Sequence, residues 1–293
     1  MGLNFNDIRF LLEWRGMKRG GSAATFGRQT VVLHSRQIAS LRSAFSANDA
    51  LRSWLDSYRP GDFVDDMLRT AFAFDEVVSI DISPYEGASV VCDIGSTLPH
   101  GLTRQFDLAI DGGTLEHVFN FPVGIANLMK LVRVGGCVYT QNPCNGLSGH
   151  GFYQFSPELL YRVFSESNGF KVVFVRISLS RTAVVEQTAN QPVYDVIDPA
   201  LHGARVLPFS SRPSLIMCLA ERIGEDEPFS KAMPMQSDYL QAWGSERTRP
   251  TVLNWKGRLV DALPGAARLV MHLRNRRAFR RVAVLPANQL LKR

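Results

Sequence analysis

The chain is poor in cysteine and has no long apolar run. Its four cysteines, Cys92, Cys137, Cys144 and Cys218, form no Cys-x-x-Cys pair and no zinc-type spacing. Neither a disulfide framework nor a zinc finger is therefore expected, and free, buried thiols are. The longest apolar stretches run to about six residues, whereas a bilayer span takes roughly 20. The opening Met1–Asp7 lacks a basic stretch followed by an apolar one, so no secretory leader is expected. Asn6 stands where a myristoylation signal wants Ser or Thr, which excludes that reading. No HExxH spacing occurs, and the adjacent Glu116 and His117 are expected on different sides of a helix, so no metal site is expected.

What is present is a core. Of 293 residues, 45% are hydrophobic and 20% charged, which excludes a disordered or fibrous chain. The length allows one or two domains. The net charge of +6 is unevenly spread. Residues 247–293 hold 12 Lys+Arg against the single acid Asp261, giving +11, while the remaining 21 Lys+Arg and 26 Asp+Glu give −5. A mildly acidic body thus carries a basic tail. The tail's imperfectly amphipathic stretch, Gly265–Val284, predicts a helix that solvates itself, packs on the body or meets an anionic membrane surface. Nucleic acid is disfavoured, because only Phe279 lies among the basic residues as a stacking platform.

Along the body, Asn4–Met17 reads as a helix, Ser22–Phe26 and Thr30–Leu33 as strands, and Arg36–Phe45, Ala47–Tyr58 and Asp62–Ala73 as helices. Short β-branched runs then alternate with helical patterns: Glu76–Ile82, Ala88–Cys92, Phe106–Ile110, a helix over Leu115–Val132, a strand over Cys137–Gln141 and a glycine-rich loop. Ser156-Pro157-Glu158 opens another helix with Ser at the N-cap. Lys171–Ile177 and Ser214–Ala220 are the last two strands, joined by residues with little periodicity. Alternation of this kind predicts an α/β fold with a parallel sheet, whose ligands bind at the carboxyl ends of the strands. Asp81, Asp93 and Asp111 close three successive strand runs. One such acid is ordinary turn chemistry; three in succession are not.

Asp81 in VVSIDIS, Asp93 in VVCDIG, FDLAIDGGTLEHV (Phe106–Val118) and LVRVGGCVYTQNP (Leu131–Pro143) resemble the later motifs of class I S-adenosylmethionine-dependent methyltransferases. The resemblance spans roughly residues 20–222. It implies a Rossmann-like, seven-stranded, mostly parallel sheet closed by an antiparallel hairpin, here with an N-terminal helical extension. At the front the sequence departs from the pattern: Thr25-Phe26-Gly27-Arg28-Gln29 has one glycine where the family has a GxGxG loop, and no acid closes the first strand. The same lack of a glycine-rich fingerprint disfavours an NAD-dependent Rossmann enzyme.

The resemblance implies S-adenosylmethionine as cofactor, with Asp81 on the ribose, Asp93 and Ile94 on the adenine, and Gly27, Asp111 and Gly112 along the methionine portion. His150 and His117 are the candidate catalytic bases toward the acceptor, with Phe152, Tyr153 and Phe155 as an apolar wall. Glu116 is read as a supporting or cofactor-amine contact. Arg28 is read as a contact to the cofactor's carboxylate or a substrate phosphate, or as a surface ion pair. Domain bounds follow as 1–225 for the α/β body with an insertion at 179–212, and 226–293 for the tail. The expected activity is methyl transfer to O or N of a small-molecule or glycan-type acceptor, by a cytoplasmic protein with peripheral contact at the inner membrane face through 247–293. The competing expectation is a catalytically inactive binding or scaffold module of the same fold.

Overall fold

The computed structural model describes residues 2–16, 20–180, 191–206, 210–244, 273 and 275–282. The chain opens with a short strand, β1 (Gly2–Asn4), and enters helix α1 (Phe5–Arg15) through a capping box. The Asn4 side chain accepts the Asn6 N–H at 2.9 Å, and the Asp7 carboxylate accepts the Asn4 N–H at 2.7 Å, so exposed helix-end donors are satisfied locally. Strands β2 (Ser22–Phe26) and β3 (Thr30–Val32) follow, then helices α2 (Ser35–Ala44), α3 (Asp49–Ser57) and α4 (Val64–Thr70). The rest of the sheet is made by β4 (Glu76–Asp81), β5 (Val90–Val91), β6 (Phe106–Asp111), β7 (Val132–Asn145), β8 (Phe170–Leu179), β9 (Val193–Val196), β10 (Ser214–Arg222) and β11 (Phe279–Arg281). Helices α5 (Phe121–Leu131) and α6 (Pro157–Val163) interleave.

The main sheet has the order β11-β9-β8-β10-β7-β6-β2-β4-β5. Strands β2, β4, β5, β6 and β7 are parallel, while β10 runs antiparallel to both β7 and β8. The fold is therefore the α/β, mostly parallel sheet expected. Strand alternation decides which helix covers which face. Met217 and Leu219 of β10 join α1–α4 in one core, whereas Ile216, Cys218 and Ala220 join α5 and α6 in the other. Cys137 and Cys218 are buried, and all four cysteines are free.

Four expectations need correction. The described sheet has nine strands rather than seven, because β9 from the insertion and β11 from the basic tail continue past β8 by antiparallel pairing. They satisfy backbone groups that an edge would leave open. For the same reason the closing pair β8–β10 is antiparallel but not a hairpin, since β9 lies between them in sequence. The helix expected over Leu115–Val132 is a 3₁₀ turn at Leu115–His117 followed by α5, which restarts with Pro122 in its first turn. Of the tail helix expected at Gly265–Val284, much lies outside the described residues; Leu273, Asn275 and Arg276 are helical, whereas Phe279–Arg281 are strand. Among the described residues no helix is long and apolar enough to cross a membrane.

Candidate functional site

Strand order reverses beside β2: β6 and β7 lie on one side, β4 and β5 on the other. Connections leave this point in opposite directions, and the carboxyl ends of the flanking strands form a crevice. Gly27 directly follows β2, and Asp81 and Asp111 end β4 and β6 there.

On the β6 side, Asp111 is fully buried. Its Oδ1 accepts the N–H groups of Thr114 (2.8 Å) and Leu115 (3.1 Å), and its Oδ2 accepts Asn142 Nδ2 at 2.7 Å. The turn that permits this passes through Gly113 at φ +99°, a conformation that glycine adopts without steric cost. Asn142 also donates to Glu116 Oε2 at 3.1 Å, tying the two carboxyls together. Burial raises the pKa of both, and the Asp111 charge raises that of Glu116 further, so the pair keeps a proton toward neutral pH.

The loop after β7 folds back onto this turn. Gly151, at φ +75°, comes so close that a Cβ would lie 2.8 Å from the Glu116 carbonyl oxygen. Phe152 and Tyr153 donate their N–H groups to that same oxygen at 2.7 and 3.2 Å. His150 Nε2 consequently stands 3.6 Å from Glu116 Oε1. The His150 and His117 rings meet edge to face with centroids 5.1 Å apart. Partial burial, then the neighbouring His150, lower the His117 pKa, which favours its neutral form. The two candidate bases, 33 residues apart in the sequence, thus share one site at Glu116. Exposed Phe119 and Phe152 pack edge to face at 5.9 Å beside them.

On the β4 side, Gly27 has φ +74°, and a Cβ there would lie 2.8 Å from Thr114 Oγ1. Asp81 Oδ2 accepts the Arg28 N–H at 3.2 Å and Oδ1 the Ser83 N–H at 3.1 Å, leaving lone pairs on both oxygens. Arg28 settles into the ion-pair alternative. Its Nε lies 3.1 Å from Asp65 Oδ2, its guanidinium stacks 4.1 Å over Phe63, and Nη1 donates to the carbonyls of Glu86 and Gly87. Asp93 closes its own turn, accepting Gly95 N–H and Ser96 Oγ at 2.8 Å each. Ile94 is buried in the core beneath it.

Sequence reasoning missed Gln29 and Asn142. Gln29 is buried; its Nε2 donates to the Phe26 carbonyl at 2.7 Å, and its Oε1 is without a partner among the described residues. That oxygen sits 1.8 Å from where a Gly112 Cβ would stand, with Leu3 Cδ2 at 2.9 Å, which accounts for the glycine. Asn142 directly follows Gln141 near the end of β7, and strand periodicity says nothing of where its amide goes. An apolar cavity bounded in part by Cys144, Pro157, Ile177 and Leu179 contains none of the predicted site residues.

These groups fit a cation that carries vicinal hydroxyls. Asp81 offers carboxylate lone pairs, the orphan Gln29 oxygen lacks a donor, and Asp111 and Glu116 supply negative character in a buried setting.

No family model and no curated protein matches the sequence. Solved structures do match in fold. N-methyltransferase NodS from Bradyrhizobium japonicum, in complex with S-adenosyl-L-homocysteine, is 11% identical, with 75% of this chain and 88% of that chain aligned at a TM-score of 0.39. A 1,6-didemethyltoxoflavin N1-methyltransferase from Burkholderia thailandensis is 13% identical over 74% of this chain and 76% of its own, at 0.36. Phosphoethanolamine N-methyltransferase 2 from Haemonchus contortus, in complex with S-adenosyl-L-methionine, is 10% identical over 75% and 52%, at 0.42. The chain is thus distantly similar in structure to S-adenosylmethionine-dependent methyltransferases, and its own strand order is what carries the fold.

Proposed function

We propose that the chain binds S-adenosylmethionine at the carboxyl edge of its sheet and moves the methyl group to an oxygen or nitrogen of a small-molecule or glycan-type acceptor. The convergence of Gly27, Asp81 and Asp111 at the point where strand order reverses carries this reading. The cofactor supplies an electrophilic methyl group. Asp81 accepts the ribose hydroxyls, Asp93 and Ile94 border the adenine, and Gly27, Asp111 and Gly112 line the methionine portion. Gln29 Oε1 takes a donor from its ammonium group. The neutral His117 imidazole, with His150 beside it, receives the acceptor's proton. Phe119 and Phe152 hold the acceptor's apolar part.

One observation favours a second reading, a non-catalytic binding module. Gln29, which stands where the family's GxGxG loop has a glycine, presses with Leu3 against Gly112. Calorimetric titration of S-adenosylhomocysteine into the full chain separates the two, with Asp81→Ala alongside. Micromolar binding that Asp81→Ala weakens at least tenfold is expected, a loss of about 1.4 kcal/mol or more. No binding up to about a millimolar, roughly −4 kcal/mol, leaves the module reading.

A further inference from the structure

We propose that Glu116, His117 and His150 form a site for one divalent transition-metal cation of the zinc class. Glu116 and His117 are adjacent in the 3₁₀ turn Leu115–His117, and the loop after β7 brings His150 over them as a third ligand. Their ligand atoms, two imidazole nitrogens and a carboxylate oxygen, lie within 4.8 Å of one another. Tetrahedral zinc with bonds of about 2.0–2.1 Å holds its ligand atoms roughly 3.4 Å apart. The Glu116–His150 pair, at 3.6 Å, already meets that spacing. The pairs that include the exposed His117 lie within 4.8 Å.

The surroundings are those of a supported site. Asn142 takes Glu116 Oε2 and leaves Oε1 toward His150, so an outer partner orients the ligand. The two N–H bonds from Phe152 and Tyr153 to the Glu116 carbonyl fix the loop that carries His150. His117 is exposed and His150 partly so, which gives the cation a way in. Two imidazoles and one carboxylate match the borderline-soft divalent ions, and three protein ligands leave a coordination position open. Cation binding does not depend on the methyl-transfer reading. The histidines can act as bases only while no cation occupies the site.

The test uses the full chain stripped with a chelator and titrated calorimetrically with Zn²⁺, with Co²⁺ absorption reporting the geometry. One cation per chain is expected. Affinity should fall in His117→Ala and His150→Ala by more than the roughly 10–100-fold that an outer-shell partner is worth, and in Asn142→Ala by about that amount. His202→Ala, a histidine elsewhere in the fold, should leave it unchanged. Circular dichroism establishes that each variant is folded, and the two accessible histidines carry the test even if Asn142→Ala disturbs the buried carboxyls. Absence of Zn²⁺ binding overturns the proposal. So does binding that survives the His117→Ala, His150→Ala double variant, since the metal then sits on other histidines or thiols. S-adenosylhomocysteine titrated into the same variants keeps this outcome separate from that of the methyl-transfer reading.

Discussion

Replacing Asp7 by asparagine should flatten the pH dependence of stability in a defined direction. Asp7 is fully buried in the first turn of α1, where its Oδ1 accepts the Tyr139 hydroxyl at 2.6 Å and its Oδ2 the Asn4 N–H at 2.7 Å. Burial outweighs these bonds and pushes its pKa from 3.8 up to about 7. A carboxyl whose pKa is higher in the folded state than in the unfolded one binds its proton more tightly when folded. The stability it contributes is complete below about pH 4 and is lost as pH rises to about 7. At about 1.4 kcal/mol per pH unit, that displacement sets an upper limit of about 4 kcal/mol. The Asp7→Asn substitution removes the titration and keeps the contacts: the new side-chain oxygen accepts the Asn4 N–H, and the new amide donates to a Tyr139 hydroxyl that can turn to accept. Urea unfolding of both proteins between about pH 4 and pH 8 measures the effect. The stability difference should move by a few kcal/mol in favour of Asp7→Asn as pH rises and level off above about pH 7. Asp111 and Glu116 push both proteins the same way and cancel in the difference. Parallel curves, or a wild-type protein that gains on the variant with rising pH, would refute a protonated Asp7.

Two further substitutions probe the site's scaffold. Gly151→Ala forces a side chain into φ +75° with its Cβ 2.8 Å from the Glu116 carbonyl oxygen, and should cost about 1–3 kcal/mol in denaturant unfolding. It should also disturb whatever His150 does, seen as a shift in its imidazole proton resonances. Arg28→Ala breaks the Asp65 pair and the stack on Phe63, and should cost about 1 kcal/mol of stability. S-adenosylhomocysteine affinity should stay within about twofold of wild type, because the guanidinium is already committed to Asp65 and to the Glu86 and Gly87 carbonyls. A tenfold loss would return Arg28 to the binding site.

Sequence and tertiary structure divided the work unevenly. Alternating β-branched runs and helical periods were enough to place β2, β4, β6, β8 and β10 within a few residues, because each pattern records which side of a local element is dry. Strand-closing acids marked the edge that could bind a ligand, because parallel strands all present their carboxyl ends there. The Ser156 cap was equally legible, since its Oγ receives the Leu159 N–H only three residues on. Contacts across long separations were not legible. Nothing near Asn142 announces that its amide bridges Asp111 and Glu116, and nothing near Gln29 announces Gly112. The break after His117 turns on a 3₁₀ geometry that differs from an α-helix by one residue in its hydrogen bonds, too little for side-chain periodicity to register. Gly151, which lets a loop lie on the Glu116 carbonyl, put two histidines and a glutamate together. Sequence determined the layers and the edge. Only the packed chain decided which side chains meet there, because that depends on backbone approach and burial that no local pattern encodes.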